Sequence, residues 1–248
     1  MISVCIPTYN GEKYIHQQLE SILTQLGNDD EVIISDDSST DGTIAIINSF
    51  NDNRIKLFEG CTFKSPVFNL ENALKHARGD HIFLSDQDDV WLPGKVSAMM
   101  KHLLHCDVVV SDCIVINEEE KTIHESFFSI LNSGGGFVRN FLRNSYLGCC
   151  MAFNKKMLWY YLPYPAKIAM HDIWMGLVTE LFGRPEFISE KLILYRRHDK
   201  NLTQPHLKSK YSLGYKIKYR VVLLYYLLSR LFREIKPSFL QGRPISLP

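Results

Sequence analysis

Asp86-Gln-Asp-Asp89 places three carboxylates within four residues. Carboxylates this close repel one another, and a nearby cation offsets the cost. A hard divalent ion held by one or two of them, together with substrate phosphates, is chemistry that such a cluster can do. An acidic turn capping the helix that starts near Pro93 fits the same four residues. Asp36 and Asp37 form a second acidic pair. Ser39, Thr40 and Asp41 follow and already suffice to cap a helix, so two further acids are not needed for capping. Carboxylate acceptors there suit the N–H and O–H donors of a base or a ribose. Thr8-Tyr9-Asn10 is a third polar cluster.

Each cluster follows a short apolar run. Ile2–Pro7, Glu31–Asp36 and His81–Ser85 read as buried strands, with Arg54–Glu59 and Asp107–Ser111 as two more. Between them Ile15, Leu19, Ile22, Leu23 and Leu26 share one helical face, and helices are expected over Ile44–Phe50, over Val67–Ala77 and from Pro93 to about His105. Further on, Glu118–Lys121 reads as a turn and Ser133–Gly136 as a loop. Gly148–Phe153 reads as a strand, Asp172–Phe182 as a helix and Glu186–Arg196 as a strand. Strands alternating with helices predict an α/β fold, a mostly parallel central sheet with helices on both faces. In open sheets of this kind ligands lie beyond the carboxyl ends of the strands, where all three polar clusters fall. Residues 1–111 form a nucleotide-binding type of half, 112–207 a second half sharing the same core, and 208–248 a tail.

Composition narrows the class. The 248 residues are 46% hydrophobic and 22% charged, which excludes disorder, collagen and small disulfide scaffolds. The net charge of +1 hides an uneven distribution. Residues 208–248 hold nine Lys/Arg against one acid, and residues 1–207 hold 19 against 26, so a tail of +8 sits on a body of −7. The N-terminus lacks the basic and apolar regions of a signal peptide, and no run reaches the roughly 20 apolar residues of a membrane span. The six cysteines form no CxxC pair, so reduced core thiols in a cytoplasmic protein are expected. His102, His105 and Cys106 crowd one helical stretch, but with no second ligand group nearby a solvated helix face is the better account.

The chain resembles the family 2 glycosyltransferases, of the fold called GT-A. The likeness is carried by Val4-Cys-Ile-Pro-Thr-Tyr-Asn-Gly-Glu12, by Glu31-Val-Ile-Ile-Ser-Asp-Asp-Ser-Ser-Thr-Asp-Gly-Thr43 and by Ala77-Arg-Gly-Asp-His-Ile-Phe-Leu-Ser-Asp-Gln-Asp-Asp-Val-Trp-Leu-Pro93. It covers about residues 2–203. The Asp-Gln-Asp-Asp-Val-Trp form is similar to a bacterial subgroup described as rhamnosyltransferases, working on surface polysaccharides. The resemblance implies that Pro7, Thr8 and Tyr9 line the nucleotide pocket and that Asp37, or Asp36, accepts from a pyrimidine base. It implies that Asp88 holds Mg²⁺ or Mn²⁺ on the diphosphate, that Asp86 sits near the ribose, and that Asp89 supports them. Met170-His-Asp-Ile-Trp174 resembles the family's acidic motif at a helix start, which makes Asp172 the general base of an inverting transfer. A helix N-cap is the bland alternative for Asp172, and Trp174 is either a sugar platform or a core residue. Tyr195–Thr203 resembles a segment that brings a histidine to the diphosphate and metal, so His198 matches that role, with Arg196 or Arg197 as a phosphate partner. Gly148-Cys-Cys150 matches a small-residue strand under the acceptor site.

The implied donor is a nucleoside-diphosphate sugar, and the implied acceptor a glycan or lipid-linked glycan. Two other readings stay open. A nucleotidyltransferase also uses a nucleotide-binding sheet and carboxylate-bound metal, although Thr8-Tyr9-Asn10-Gly11 lacks its glycine-rich basic loop. A non-catalytic sugar-nucleotide or membrane-surface module is the third. A dinucleotide-binding GxGxxG is absent after the first strand, and an acidic body argues against nucleic acid. Tyr211–Lys236, with Lys210 just before it, mixes Lys210, Lys216, Lys218, Arg220, Arg230 and Arg233 with Tyr215, Ile217, Tyr219, Val222, Leu223, Tyr226, Leu227, Leu231 and Phe232, a basic amphipathic helix. Such a helix lies on an anionic membrane surface at the inner face of the cell membrane, or packs on the domain with its basic face in solvent.

Overall fold

The computed structural model describes residues 1–197 and 212–240. The strand–helix alternation is realised in order: β1 (Ile2–Thr8), α1 (Ile15–Leu23), β2 (Glu31–Asp36), α2 (Thr43–Ser49), β3 (Ile55–Phe58), α3 (Pro66–His76) and β4 (His81–Leu84). There follow β5 (Val90–Trp91), α4 (Lys95–Leu103), β6 (Val108–Ile116), β7 (Thr122–His124), α5 (Phe127–Leu131) and α6 (Phe137–Leu142). A 3₁₀ turn (Gly148–Cys150) leads into β8 (Met151–Asn154), then α7 (Met157–Tyr161), α8 (His171–Phe182), β9 (Pro185–Arg196) and α9 (Leu213–Leu240).

The sheet order is β3-β2-β1-β4-β8-β6-β9-β5, with β7 on β6. The first four strands are mutually parallel, as expected. The rest of the sheet is mixed: β8 runs antiparallel to both β4 and β6, whereas β6 and β9 are parallel. β1 lies between β2 and β4, so the chain winds outward in both directions from it, and a crevice opens at the carboxyl ends of β1 and β4.

Two strands depart from expectation for local reasons. β6 runs past Ser111 because Asp112, polar by type, is buried and satisfied: its carboxylate accepts from Ser126 Oγ at 2.5 Å and from the Phe128 amide at 2.9 Å. The division near residue 111 therefore falls inside one strand, and a single apolar core spans both sides of it. Gly148–Cys150 is a 3₁₀ turn rather than strand because the Cys149 carbonyl is taken by the Lys95 ammonium, at 2.8 Å. Five of the six cysteines are buried. Among the described residues no helix is long and apolar enough to cross a membrane.

Candidate active site

The carboxyl ends of β2, β1 and β4 form one rim. Thr8, which is in register with Asp36, donates from Oγ1 to the Asp36 carboxylate at 2.8 Å. The Ser39 amide and hydroxyl donate to the same carboxylate at 2.7 and 2.6 Å. Asp36 is buried and ties β1 to the turn after β2. Asp37 accepts from the amides of Phe63 and Ser65, at 2.5 and 3.2 Å, and so fixes the segment before α3. A carboxylate offers about four lone-pair sites, so Asp37 keeps acceptor capacity. Pro7 is half-buried and Tyr9 is exposed on the rim.

Gln87 locks this rim to the acidic loop, a role its sequence position does not announce. Its Oε1 accepts from the Tyr9 amide at 2.9 Å, and its Nε2 donates to the Tyr9 carbonyl at 3.1 Å. Gly11 leaves it room, since a Cβ there would lie 2.5 Å from Gln87 Oε1. Gln87→Ala should weaken nucleoside-diphosphate binding about five- to thirtyfold, the effect of losing roughly 1–2 kcal/mol of hydrogen bonding. Titration calorimetry checks this, and the thermal midpoint should fall by about 2–8 °C, since the same 1–2 kcal/mol is lost from the folded protein.

Beneath the rim the acidic cluster is packed tightly. Burial, then the charges of Asp88 and Asp172, push Asp86 up to about 7. Asp89 is buried, and burial with the charges of Asp88 and Asp86 holds its carboxyl well above the usual range. Its Oδ1 accepts the Arg196 amide at 3.0 Å, while Oδ2 is buried with no hydrogen-bond partner. Lys95 supplies a cation from below. It is fully buried, stacked 4.6 Å over the Trp91 ring, its pKa lowered by burial, and its charge pulls Asp86 downward. Arg196 braces the loop from the side. It is 2% exposed and donates to the Asp88 carbonyl at 2.9 Å, to Gln17 at 2.9 Å and to Glu120 at 3.0 Å. Its guanidinium is thus turned to protein groups rather than held open for a phosphate. Arg197 is half-buried, its amide on the Ile116 carbonyl. His198 lies outside the described residues.

One ligand atom each from Asp86, Asp89 and Cys149 lie within 4.8 Å of one another. The orphaned Asp89 Oδ2 and the crowded Asp86 suit a divalent cation. The Cys149 sulfur does not suit Mg²⁺ or Mn²⁺, which prefer oxygen. The carboxylates of this loop, completed by donor phosphates, are the donor set that fits.

Asp172, far along the chain, lies near enough to this cluster for its charge to raise Asp86. It is not the cap of α8 but lies in its first turn after Met170, its Oδ1 accepting the Ile173 amide at 2.7 Å. Burial raises it to about 6. The neighbouring His171 is buried and held down at about 4, hence neutral near pH 7, with Nδ1 unpartnered. Gly148 of the 3₁₀ turn fits under it, for a Cβ there would lie 2.4 Å from His171 Nε2. Gly148→Ala should cost about 1–3 kcal/mol by overpacking, a fall of roughly 2–4 °C per kcal/mol in thermal midpoint, read by calorimetry. Trp174 is a core residue, fully buried with its Nε1–H on the Tyr161 carbonyl at 2.9 Å, and is no sugar platform.

Residues 3–162 match the family model described as Glycosyl transferase family 2. The chain belongs to that family. EpsE of Bacillus subtilis is 35% identical over 123 residues, 47% of this chain and 44% of that protein. The UDP-Glc:alpha-D-GlcNAc-diphosphoundecaprenol beta-1,3-glucosyltransferase WfgD of Escherichia coli is 33% identical over 104 residues, 42% of this chain and 41% of that protein. These matches span less than half the length of the curated relatives. Among solved structures, S. aureus TarS 1-349 in complex with UDP-GlcNAc superposes with a TM-score of 0.67 at 21% identity, over 94% of this chain and 72% of that one. That likeness shows the GT-A fold of this family 2 glycosyltransferase.

Proposed function

We propose that the protein is an inverting, metal-dependent glycosyltransferase that moves a sugar from a nucleoside-diphosphate sugar to a hydroxyl of a lipid-linked glycan. The setting is bacterial surface polysaccharide synthesis at the inner face of the cell membrane. One observation carries the reading: Asp172, at the start of α8, is close enough to the Asp86 carboxyl to help raise its pKa. A base for an acceptor hydroxyl thus lies near the carboxylates that suit a donor diphosphate. The rim of Pro7, Thr8, Tyr9 and Asp37 would take the nucleoside, with Asp86 toward the ribose and Asp88 toward the diphosphate. His198 is proposed to join the diphosphate and metal. A Mg²⁺ or Mn²⁺ ion, when bound, neutralises charge developing on the leaving nucleoside diphosphate. Asp172 takes the proton from the acceptor hydroxyl as its oxygen forms the new bond to C1 and the C1–diphosphate bond breaks. Displacement from the opposite face inverts the anomeric centre.

The lipid-linked acceptor is supported by the activity in WfgD's name. That name is a glucosyltransferase's, so the donor panel should hold UDP-glucose and UDP-GlcNAc beside dTDP-rhamnose. The test is product analysis with Mn²⁺ and water as a slow acceptor. Nucleoside diphosphate is the expected product. Pyrophosphate would indicate nucleotidyl transfer, and no turnover with tight donor binding would indicate a binding module.

A further inference from the structure

α9 is packed on the body through one side. Leu223 and Leu227 are buried, and Arg230 sits 5.4 Å over the Trp174 ring. Of the five tail cations whose side chains are described, the three arginines bond backbone carbonyls of the body. Arg220 donates to the carbonyls of Phe141 and Leu142, Arg230 to those of Leu162 and Pro163, both at 2.6 Å, and Arg233 to that of Trp159 at 3.0 Å. The other side of the helix is apolar and exposed. Ile217, Val221, Leu224, Tyr225, Leu228 and Phe232 are between 41% and 68% exposed. At 3.6 residues per turn they fall within about 100° of the circumference and run about 22 Å along the axis.

We propose that this stripe seats α9 in the plane of a bilayer surface, and that apolar burial rather than charge holds it there. It rests on the reading of a lipid-linked acceptor. A soluble protein rarely leaves so continuous an apolar face in water unless something covers it. A second copy is a poor cover. Glu234 is the one acidic residue in the sequence of α9, so a two-fold pairing of stripes would bring the cations of one helix beside those of its partner with little acid to offset them. An anionic leaflet has the opposite sign to the tail's +8 and repels the −7 body, which orients the stripe toward lipid. The placement also serves the chemistry. Tyr219, on the inner side, accepts the Ala169 amide at 3.2 Å, three residues before Asp172. The helix that rests on lipid thus braces the segment that leads to the base.

The test is flotation of the full chain with vesicles of phosphatidylcholine and with vesicles containing phosphatidylglycerol. Binding should occur to both. It should fall by less than about tenfold between 0.1 and 1 M salt, where the screening length drops from about 10 to 3 Å. The variant Val221→Ser/Tyr225→Ser/Leu228→Ser should lose at least about tenfold in vesicle partition, since each change removes exposed apolar surface that lipid would bury. It should keep wild-type circular dichroism and wild-type release of nucleoside diphosphate into water. Three results would overturn the proposal: no vesicle binding, binding abolished by salt but untouched by the triple variant, or a light-scattering dimer that the variant dissociates. Absence of donor turnover in both proteins would count against the sugar-transfer reading and leave the vesicle result to stand by itself.

Discussion

Asp172→Asn is expected to lower turnover by about 10²–10⁴-fold, the range over which a positioned general base accelerates proton transfer. Asn keeps the size of the side chain and can still accept the Ile173 amide, so the start of α8 should hold. What it loses is the ability to take a proton. Donor affinity should stay near wild type, because Asp172 belongs to the acceptor side. The pH profile is a second readout. Burial raises Asp172 to about 6, so the base is ionised above that pH and protonated below it. Wild-type kcat should therefore fall tenfold per pH unit on the acid side, and that limb should vanish in the Asn variant. A cation bound nearby moves the limb to lower pH by favouring the ionised form. His171 cannot substitute as the base. At about 4 it is neutral, but its Nδ1 is enclosed and its Nε2 is set against Gly148. A drop below tenfold in Asp172→Asn would place the base elsewhere.

The parts of this site that were legible in the sequence are those where local pattern and function coincide. A buried strand followed at once by polar residues marks a sheet rim, and Ile2–Thr8, Glu31–Asp36 and His81–Leu84 all end that way. Residues whose role depends on distant partners were not legible. A lysine at the start of a helix reads as solvated, and nothing local says that Lys95 is fully buried against Trp91 and the Cys149 carbonyl. Arg196 sits in a basic run that suggests phosphate. Its surroundings are set by Gln17, Asp88 and Glu120, which come from three separate stretches of chain. The tail shows the same limit. Its basic composition is plain, but which side the arginines turn to is decided by carbonyls at 141–142, 159 and 162–163. The short elements β7, α5, α6 and α7 are three to six residues long, too few for periodicity to declare itself.

Asp88→Asn should abolish the Mn²⁺-dependent part of nucleoside-diphosphate binding, a loss of more than about 10²-fold, beyond what removal of a supporting group costs. The expectation rests on electrostatics. In the absence of a cation Asp86 and Asp89 are both raised by burial and by their neighbours' charge, so the protein holds protons where a metal would sit. Binding then exchanges protons for the ion, and affinity should climb as pH rises from 5 to 8 through the Asp86 value of about 7. Stability follows the same sign. With Asp86 raised, the folded protein binds more protons than the unfolded one between about pH 4 and 7, so the ion-free protein loses stability as pH rises through that window. Mn²⁺ should thus raise the thermal midpoint more at pH 8 than at pH 5. Asp89 separates two arrangements. If the ion is held by Asp88 and Asp86 with the donor phosphates, Asp89→Asn should weaken it only about 10–100-fold, as loss of a supporting group does, and Cys149→Ser should leave Mn²⁺ affinity unchanged. If the ion sits deeper, on the orphaned Asp89 Oδ2 beside Cys149, the order reverses: Asp89→Asn abolishes binding and Asp88→Asn retains it. Calorimetry on the three variants decides between them, and unchanged affinity in Asp88→Asn would remove that residue from the metal site.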